Sequence, residues 1–487
     1  MANSQRRRCR IRRYPGKPEK TGRVMFRLLA LGSYFYQSLV AILLILALSH
    51  VLEPASYTTY SLTVAVSQLA AVVAFEWLQL AGQRFLSSSQ GDETPRLQSS
   101  LITALALSIA ALIAAAGLAL LSGRITLPLI ATGLAVTIAQ GTVDLHYMMI
   151  RVSGRLPSAS MLMIFRATFL LVGAIAGAKL HGTAEAALAG ILVGHALGLV
   201  LGSLIDRTLL HWSPRIARKS DLSAFARYGM LASGASVVHL SVPIMMRFMI
   251  VDRFGIGSSA SAGFSMAIDL LQRPFSVLLS AIHTISYPEV VLRYDTGTRR
   301  DAQQAAAGLF ELAFCSTALM LGGLIAFIPD AATFFVPPAL AASFLAATPS
   351  VATFYFLHTH LQATLALVPH LQKAALRLIL IAVGQLALIS GLVLASSLAS
   401  LTPTKALASA ALATALVILA TSGPTIRFGA YPRPGLVLLT TVGAAVIGGL
   451  AASPSEPSAW LVGKIVIAAV ITLIIVWFGD FLHHDRA

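Results

Sequence analysis

LSAFARYGMLASGASVVHLSVPIMMRFMIVDRFGIGSSASAGFSMAIDLLQRPFSVLLSAIHTISYPEVVLRYD, residues 222–295, decides the fold class. It holds two long apolar runs joined by a short Gly/Ser turn. Each run is long enough to cross a hydrocarbon layer of roughly 30 Å as a helix. Strands of a membrane barrel alternate apolar and polar residues, and these runs do not. His239, Asp269 and Arg273 lie well inside the runs. In lipid such groups need a partner or a water-filled cavity, which makes each a functional candidate.

Outward from this stretch the pattern repeats. Of 487 residues, 57% are hydrophobic and 11% charged, and apolar runs of similar length recur from Leu28 to Leu482. Helices are the arrangement that satisfies their backbone groups in lipid. The expectation is an all-α polytopic membrane protein of about fourteen transmembrane helices, with two pseudo-symmetric six-helix lobes and two C-terminal helices. Residues 1–27 form a basic cytoplasmic arm, 28–206 the N-lobe, 207–224 a cytoplasmic linker and 225–427 the C-lobe. Residues 428–487 hold the last two spans and a cytoplasmic C-terminus.

A formal charge of +16 suggests an anionic partner, but its placement argues for topology. With the N-terminus inside, 26 Lys and Arg fall in inner segments, against Arg124, Lys179, Arg253 and Lys405 outside. That asymmetry orients both termini to the cytoplasm of an inner (plasma) membrane protein. No nucleic-acid partner is expected. Cys9 lies in the basic tail and Cys315 in a span, so neither a disulfide nor a metal framework is indicated. The first apolar run lacks a small-residue cleavage site and reads as an anchor.

Laying Tyr60-Ser61 on Phe264-Ser265, a shift of 204 residues, puts Gln68 on Gln272. Six spans lie between the copies, so the repeat keeps its membrane orientation and places a substrate site between halves. The outer loops are short, and the longest, about 329–342, has no paired acid and base. No Gly-rich phosphate loop occurs. The chain therefore reads as a transporter rather than an enzyme, without a cofactor, and a proton or ion gradient is the expected energy source.

Depth ranks the candidate site residues. At 1.5 Å per residue, Arg273 lies roughly 16 Å from the inner end of its helix and Asp269 roughly 15 Å from the outer end. Four apart, they share a face and can pair with each other. Alternatively Arg273 faces a cavity and meets an anionic substrate group, with Asp269 positioning it. Arg247 is expected to snorkel to the outer interface and Arg166 to the inner one, each with a vestibule role as the alternative. Glu76 and Arg84 fall at the inner end of the second span. His239, His195, His358 and His360 lie near mid-span, where interhelical hydrogen bonding and proton exchange are both open. His358 and His360, two residues apart, point to opposite faces.

The segment 225–290 and the earlier SHVLEPASYTTYSLTVAVSQLAAVVAFEWLQLAGQRF, residues 49–85, resemble polysaccharide flippases. These are the O-antigen (lipopolysaccharide) and exopolysaccharide translocases of the multidrug/oligosaccharidyl-lipid/polysaccharide (MOP) exporter superfamily. The resemblance implies alternating access and transport of an undecaprenyl-pyrophosphate-linked oligosaccharide from the inner to the outer leaflet. It also implies lipid-linked oligosaccharide, membrane lipid and other polysaccharide assembly proteins as partners. By position Arg84 matches the arginine closing the family's second helix, Arg247 the one late in its seventh, and Pro288 the proline after its eighth. The acidic residue that often precedes the late arginine is Met246 here. A pyrophosphate headgroup suits Arg donors in a low-dielectric cavity. A drug/cation antiporter of the same superfamily is the alternative. A polysaccharide polymerase or ligase would need a long outer loop that the chain lacks.

Overall fold

The computed structural model describes residues 20–87, 93–121, 123, 126–207, 209, 212–372, 374–398, 402–452 and 458–480. Most of the basic arm, Arg124 and the C-terminal tail lie outside the described residues. Fourteen helices are long and apolar enough to cross a membrane, and no strand occurs among the described residues. The first six are α1 (Gly32–Val51), α2 (Pro54–Leu86), α3 (Glu93–Leu121), α4 (Leu127–Val152), α5 (Leu156–His181) and α6 (Ala184–Ile205). Then come α7 (Lys219–Phe254), α8 (Ser259–Thr296), α9 (Arg299–Phe335), α10 (Pro338–Leu371), α11 (Ala375–Ala395) and α12 (Thr404–Phe428). The last two are α13 (Pro434–Ala452) and α14 (Trp460–Gly479).

Local chemistry sets the ends. Proline occupies the first turn of α2, α4, α5, α10 and α13, where its missing N–H costs nothing and its fixed φ suits a helix start. The Glu53-Pro54 turn ends α1 at Val51. Thr183 caps α6 by accepting from Ala186 N, and Ser258 caps α8 by accepting from Ser261 N. At the end of α5, Gly182 takes φ +67°, which a side chain would strain.

Helices α1, α2, α4, α5 and α6 pack on one another, as do α8, α9, α10, α11 and α12, while α13 and α14 lean on α9. Packing between α5 and α6 is backbone on backbone: an added Cβ on Gly190 would sit 1.9 Å from Gly173 O, and one on Gly177 would sit 2.1 Å from Ala186 O. Small residues let transmembrane helices approach this closely and gain dispersion contact. Two ion pairs tie the last helices to α9. Arg433 grips both Glu311 oxygens, and the buried Lys464 meets Asp330 at 3.1 Å.

One end of the bundle is sealed and the other is split. At the sealed end, buried residues from both halves form one apolar core, among them Leu48, Tyr57, Val242, Met246, Phe264 and Phe344. Toward the basic end the cores separate. One gathers Phe75, Trp77, Leu101, Met148 and Phe225, and the other gathers Val290, Leu309, Leu367 and Phe428. Because Phe225 belongs to the first, and Gly229 lies against the Trp77 backbone, the inner half of α7 packs on α2. Helix α7 also packs along α11, so it touches both sets of helices.

Candidate functional site

Where the cores part, a cavity of 1410 Å³ opens at the basic end between α2, α7, α8, α10 and α11. Arg84, Ser220, Arg227 and Ala374 lie toward its mouth, and Pro243, Gln272, Tyr355 and His358 toward its deep end. His239 of α7 and His370 of α10 both line it. Among the described residues lining it, two are arginines, three are histidines and none is acidic. Glu76 meets Ser236 of the wall but is not itself part of the lining. It ends a π-helical turn, Val72–Glu76, that interrupts α2 beside the cavity. Such turns often mark functional positions.

Three of the predicted site residues come together beyond the deep end. Asp269 on α8 pairs with Arg247 on α7, and Ser61 on α2 donates to its other oxygen at 2.6 Å. Arg247 also donates to Pro243 O at 3.2 Å. This corrects two expectations. Arg247 does not snorkel to the outer interface: it is 4% exposed, since a carboxylate within reach satisfies its charge without lipid contact. Asp269 makes its ion pair with Arg247 across the hairpin rather than with Arg273 on its own helix. Arg273 Nε is buried without a hydrogen-bond partner, and the residue does not line the cavity, whereas its neighbour Gln272 does. Tyr60, Tyr355, Asp269 and Arg247 surround it electrostatically.

Arg166 departs from expectation in the same way. It is 8% exposed and pairs with Asp144 on α4, outside the cavity. Asp144 was not singled out from the sequence, although a signal for both pairs exists. Arg247 and Asp269 lie eleven residues either side of Ser258, which caps α8, and Asp144 and Arg166 eleven either side of Arg155, which caps α5. In an antiparallel hairpin, residues equidistant from the turn sit at the same depth.

The histidines are held between helices, with one amide as hub. Gln385, fully buried on α11, bonds His239 Nδ1 through Oε1 at 3.1 Å. Its Nε2 donates to His358 Nδ1 at 2.9 Å and to Thr414 Oγ1 at 3.0 Å. The His239 and His358 rings meet edge to face at 5.5 Å. His360 turns the other way, to Thr317 and Thr364, as the two-residue spacing requires. His195 lies near Arg166, away from the cavity. A lone glutamine inside the apolar run ILIAVGQLALIS was the sequence signal for the hub. Among the described residues no group of three or more His, Cys, Asp or Glu could hold a metal ion.

Membrane helices from both halves of the chain flank this cavity, which is closed off at one end by the shared apolar core and open at the other. Known structures have this fold. A lipid II flippase, MurJ, in an inward closed conformation is similar with TM-score 0.70 at 12% identity, over 94% of this chain and 100% of that one. An inward-facing multidrug resistance MATE family transporter of the MOP superfamily matches with TM-score 0.64 at 13% identity, over 83% and 98% of the two chains. A MOP superfamily transporter from Pyrococcus furiosus, described as having a binding pocket of reverse polarity, matches with TM-score 0.57 at 13% identity, over 85% and 99%. No protein-family profile matches the chain, and no curated protein sequence does. At these identities the likeness is one of fold.

Proposed function

We propose that the chain is a MOP-type flippase that moves an undecaprenyl-pyrophosphate-linked oligosaccharide across the inner membrane by alternating access, in surface polysaccharide synthesis. The observation that carries this reading is a cavity of 1410 Å³ with Arg84 and Arg227 in its wall and no carboxylate among its described lining residues. A drug-sized ligand fills roughly 300–1,000 Å³. This space accommodates a glycosylated headgroup while the lipid tail stays in the bilayer. Guanidinium groups match phosphate oxygens through paired N–H donors. An organic cation would need carboxylates, and none occurs among the described lining residues.

The basic, open end is the cytoplasmic face in this reading, as the loop charges require. Substrate enters there, and closure of α7 and α2 toward α8, α10 and α11 carries it to the sealed end. Ser61, Asp269 and Arg247 then have to part, because they join the lobes where the exit must form.

Binding to the purified protein tests the reading. A pyrophosphate diester, farnesyl-pyrophosphoryl-N-acetylglucosamine, is expected to bind, and tetraphenylphosphonium is not. With charge-assisted hydrogen bonds at about 1.5–3 kcal/mol each, replacing Arg84→Glu and Arg227→Glu together is expected to weaken the diester at least about a hundredfold. Preference for the cation by the unmodified protein would overturn the proposal in favour of an antiporter.

A further inference from the structure

The hydrogen bonds around Gln385 fix more than packing. Thr414 Oγ1 gives its own proton to Ala410 O at 2.9 Å, so toward Gln385 it acts as an acceptor. That sets the amide: nitrogen toward Thr414 and His358, oxygen toward His239. His239 therefore carries its proton on Nδ1, and its lone pair is on Nε2. His358 accepts at Nδ1, and its Nε2 lies 2.8 Å from the Gln362 amide, so both of its nitrogens are engaged. His239 lines the cavity, and its Nε2 has no partner among the described residues. Pro243, four residues on, supplies no N–H to the His239 carbonyl, which opens the α7 ladder at this point of the wall.

We infer that His239 Nε2 is a proton-accepting subsite of the cavity, with its tautomer set by the Gln385–Thr414 strut, and that once protonated it donates to the anionic headgroup of the cargo. This rests on the anionic-headgroup reading above. The proton arrives from water at the open end, adds to the Nε2 lone pair and leaves by the same atom, while the Nδ1 bond to Gln385 Oε1 is kept. The gained positive charge joins Arg84 and Arg227 on a wall whose described lining residues include no carboxylate. Affinity for the headgroup therefore rises as pH falls.

Other titratable groups face the site from the packed elements. Helix α2 brings Glu76, through Ser236, and Arg84. Helix α7 itself carries Arg227 below the ring and Arg247 above it, and Arg247 is taken by Asp269 of α8. Helix α10 brings Tyr355, His358 and His370, and α11 brings Arg377 two turns below Gln385. Of these, only His370 is a second cavity imidazole free of the hub, so it serves as the control.

The experiment measures binding of farnesyl-pyrophosphoryl-N-acetylglucosamine to the full-length protein in detergent at about pH 4 and about pH 7.5, a range wide enough to include protonation of a largely buried imidazole. Both phosphates of this diester stay ionised over that range, so the probe's charge is constant. Binding is expected to be at least about tenfold tighter at the lower pH, the gain of one charge-assisted hydrogen bond of about 1.5–3 kcal/mol where the neutral ring offers the anion no donor. His239→Asn keeps the donor to Gln385 but has no Nε2, and His239→Gln offers a polar tip without a charge. Both are expected to bind equally at the two pH values, while His370→Gln keeps the shift. Nitrogen-15 NMR of histidine-labelled protein should also show an Nδ1-protonated ring, besides that of His50 on Leu46 O, whose signal is lost in His239→Asn. A pH shift that survives both His239 variants, or that vanishes in His370→Gln, overturns the inference, as does binding with no pH shift at all. Absence of binding at both pH values overturns the anionic-headgroup reading itself.

Discussion

Asp269→Asn is expected to lower stability by about 3–5 kcal/mol, the cost of leaving one member of a buried ion pair without its partner. Asp269 is the acceptor for Arg247, which is 4% exposed and has only the Pro243 carbonyl as a further partner. The amide that replaces it neutralises nothing, and in a membrane interior the stranded guanidinium has no water to turn to. Ser61 adds a second effect, because its bond to Asp269 is the polar tie between α2 and α8 at the sealed end. The variant should therefore unfold at lower temperature in detergent. Replacing both members, Arg247→Met with Asp269→Leu, is expected to recover most of the stability, since apolar side chains of similar volume fill such sites without a desolvation penalty. Only the tie to Ser61 stays lost. Equal damage from the single and the double variant would show that the pair is not the source of the cost.

Gly190→Leu is expected to prevent assembly of the first lobe. The added Cβ meets Gly173 O at 1.9 Å and Ala174 N at 2.8 Å, and both are backbone atoms that no rotamer change can move. Overpacking against side chains costs about 1–3 kcal/mol, and a collision with backbone exceeds that because α5 and α6 must separate along their length. The measurable outcome is loss of a monodisperse peak on size-exclusion chromatography. Gly323→Ala, where an added Cβ meets nothing within 4 Å, is the matched control and should behave as the unmodified protein. Neither position lines the cavity, so binding of the pyrophosphate diester by surviving Gly323→Ala protein is expected to be unchanged.

Much of the fold was legible because span length and loop charge are one-dimensional properties. Runs of about 20 apolar residues count the helices, and fourteen are found. Glu53-Pro54 and the residues around Ser258 mark turns by local chemistry alone. The site was less legible, for a physical reason. Depth counted along one helix places Arg247 near the outer rim, but a long guanidinium can reach back to a carboxylate on the next helix of the hairpin. Such a partner is visible only when both helices are folded about their turn. The same holds for Arg166 and Asp144. Arg273 was drawn to the cavity by its depth, yet rotation about α8 gives the cavity Gln272 and Ser276 instead. Arg84 lines the cavity wall, as its place at the inner end of α2 allows. Gln385 went unnoticed because a neutral amide in an apolar run carries no charge signal, although burial obliges it to find several partners.

In the proposed function the cavity between the lobes carries a lipid-linked anionic headgroup across the membrane. Reconstitution into proteoliposomes tests it most directly. An undecaprenyl-pyrophosphate-linked oligosaccharide is placed in one leaflet, and its appearance in the other is followed by capture with an added lectin. Protein-dependent translocation that is lost in the Arg84→Glu, Arg227→Glu variant is the result this account predicts. No translocation of the lipid-linked oligosaccharide, together with exchange of tetraphenylphosphonium for protons by the same vesicles, would contradict it.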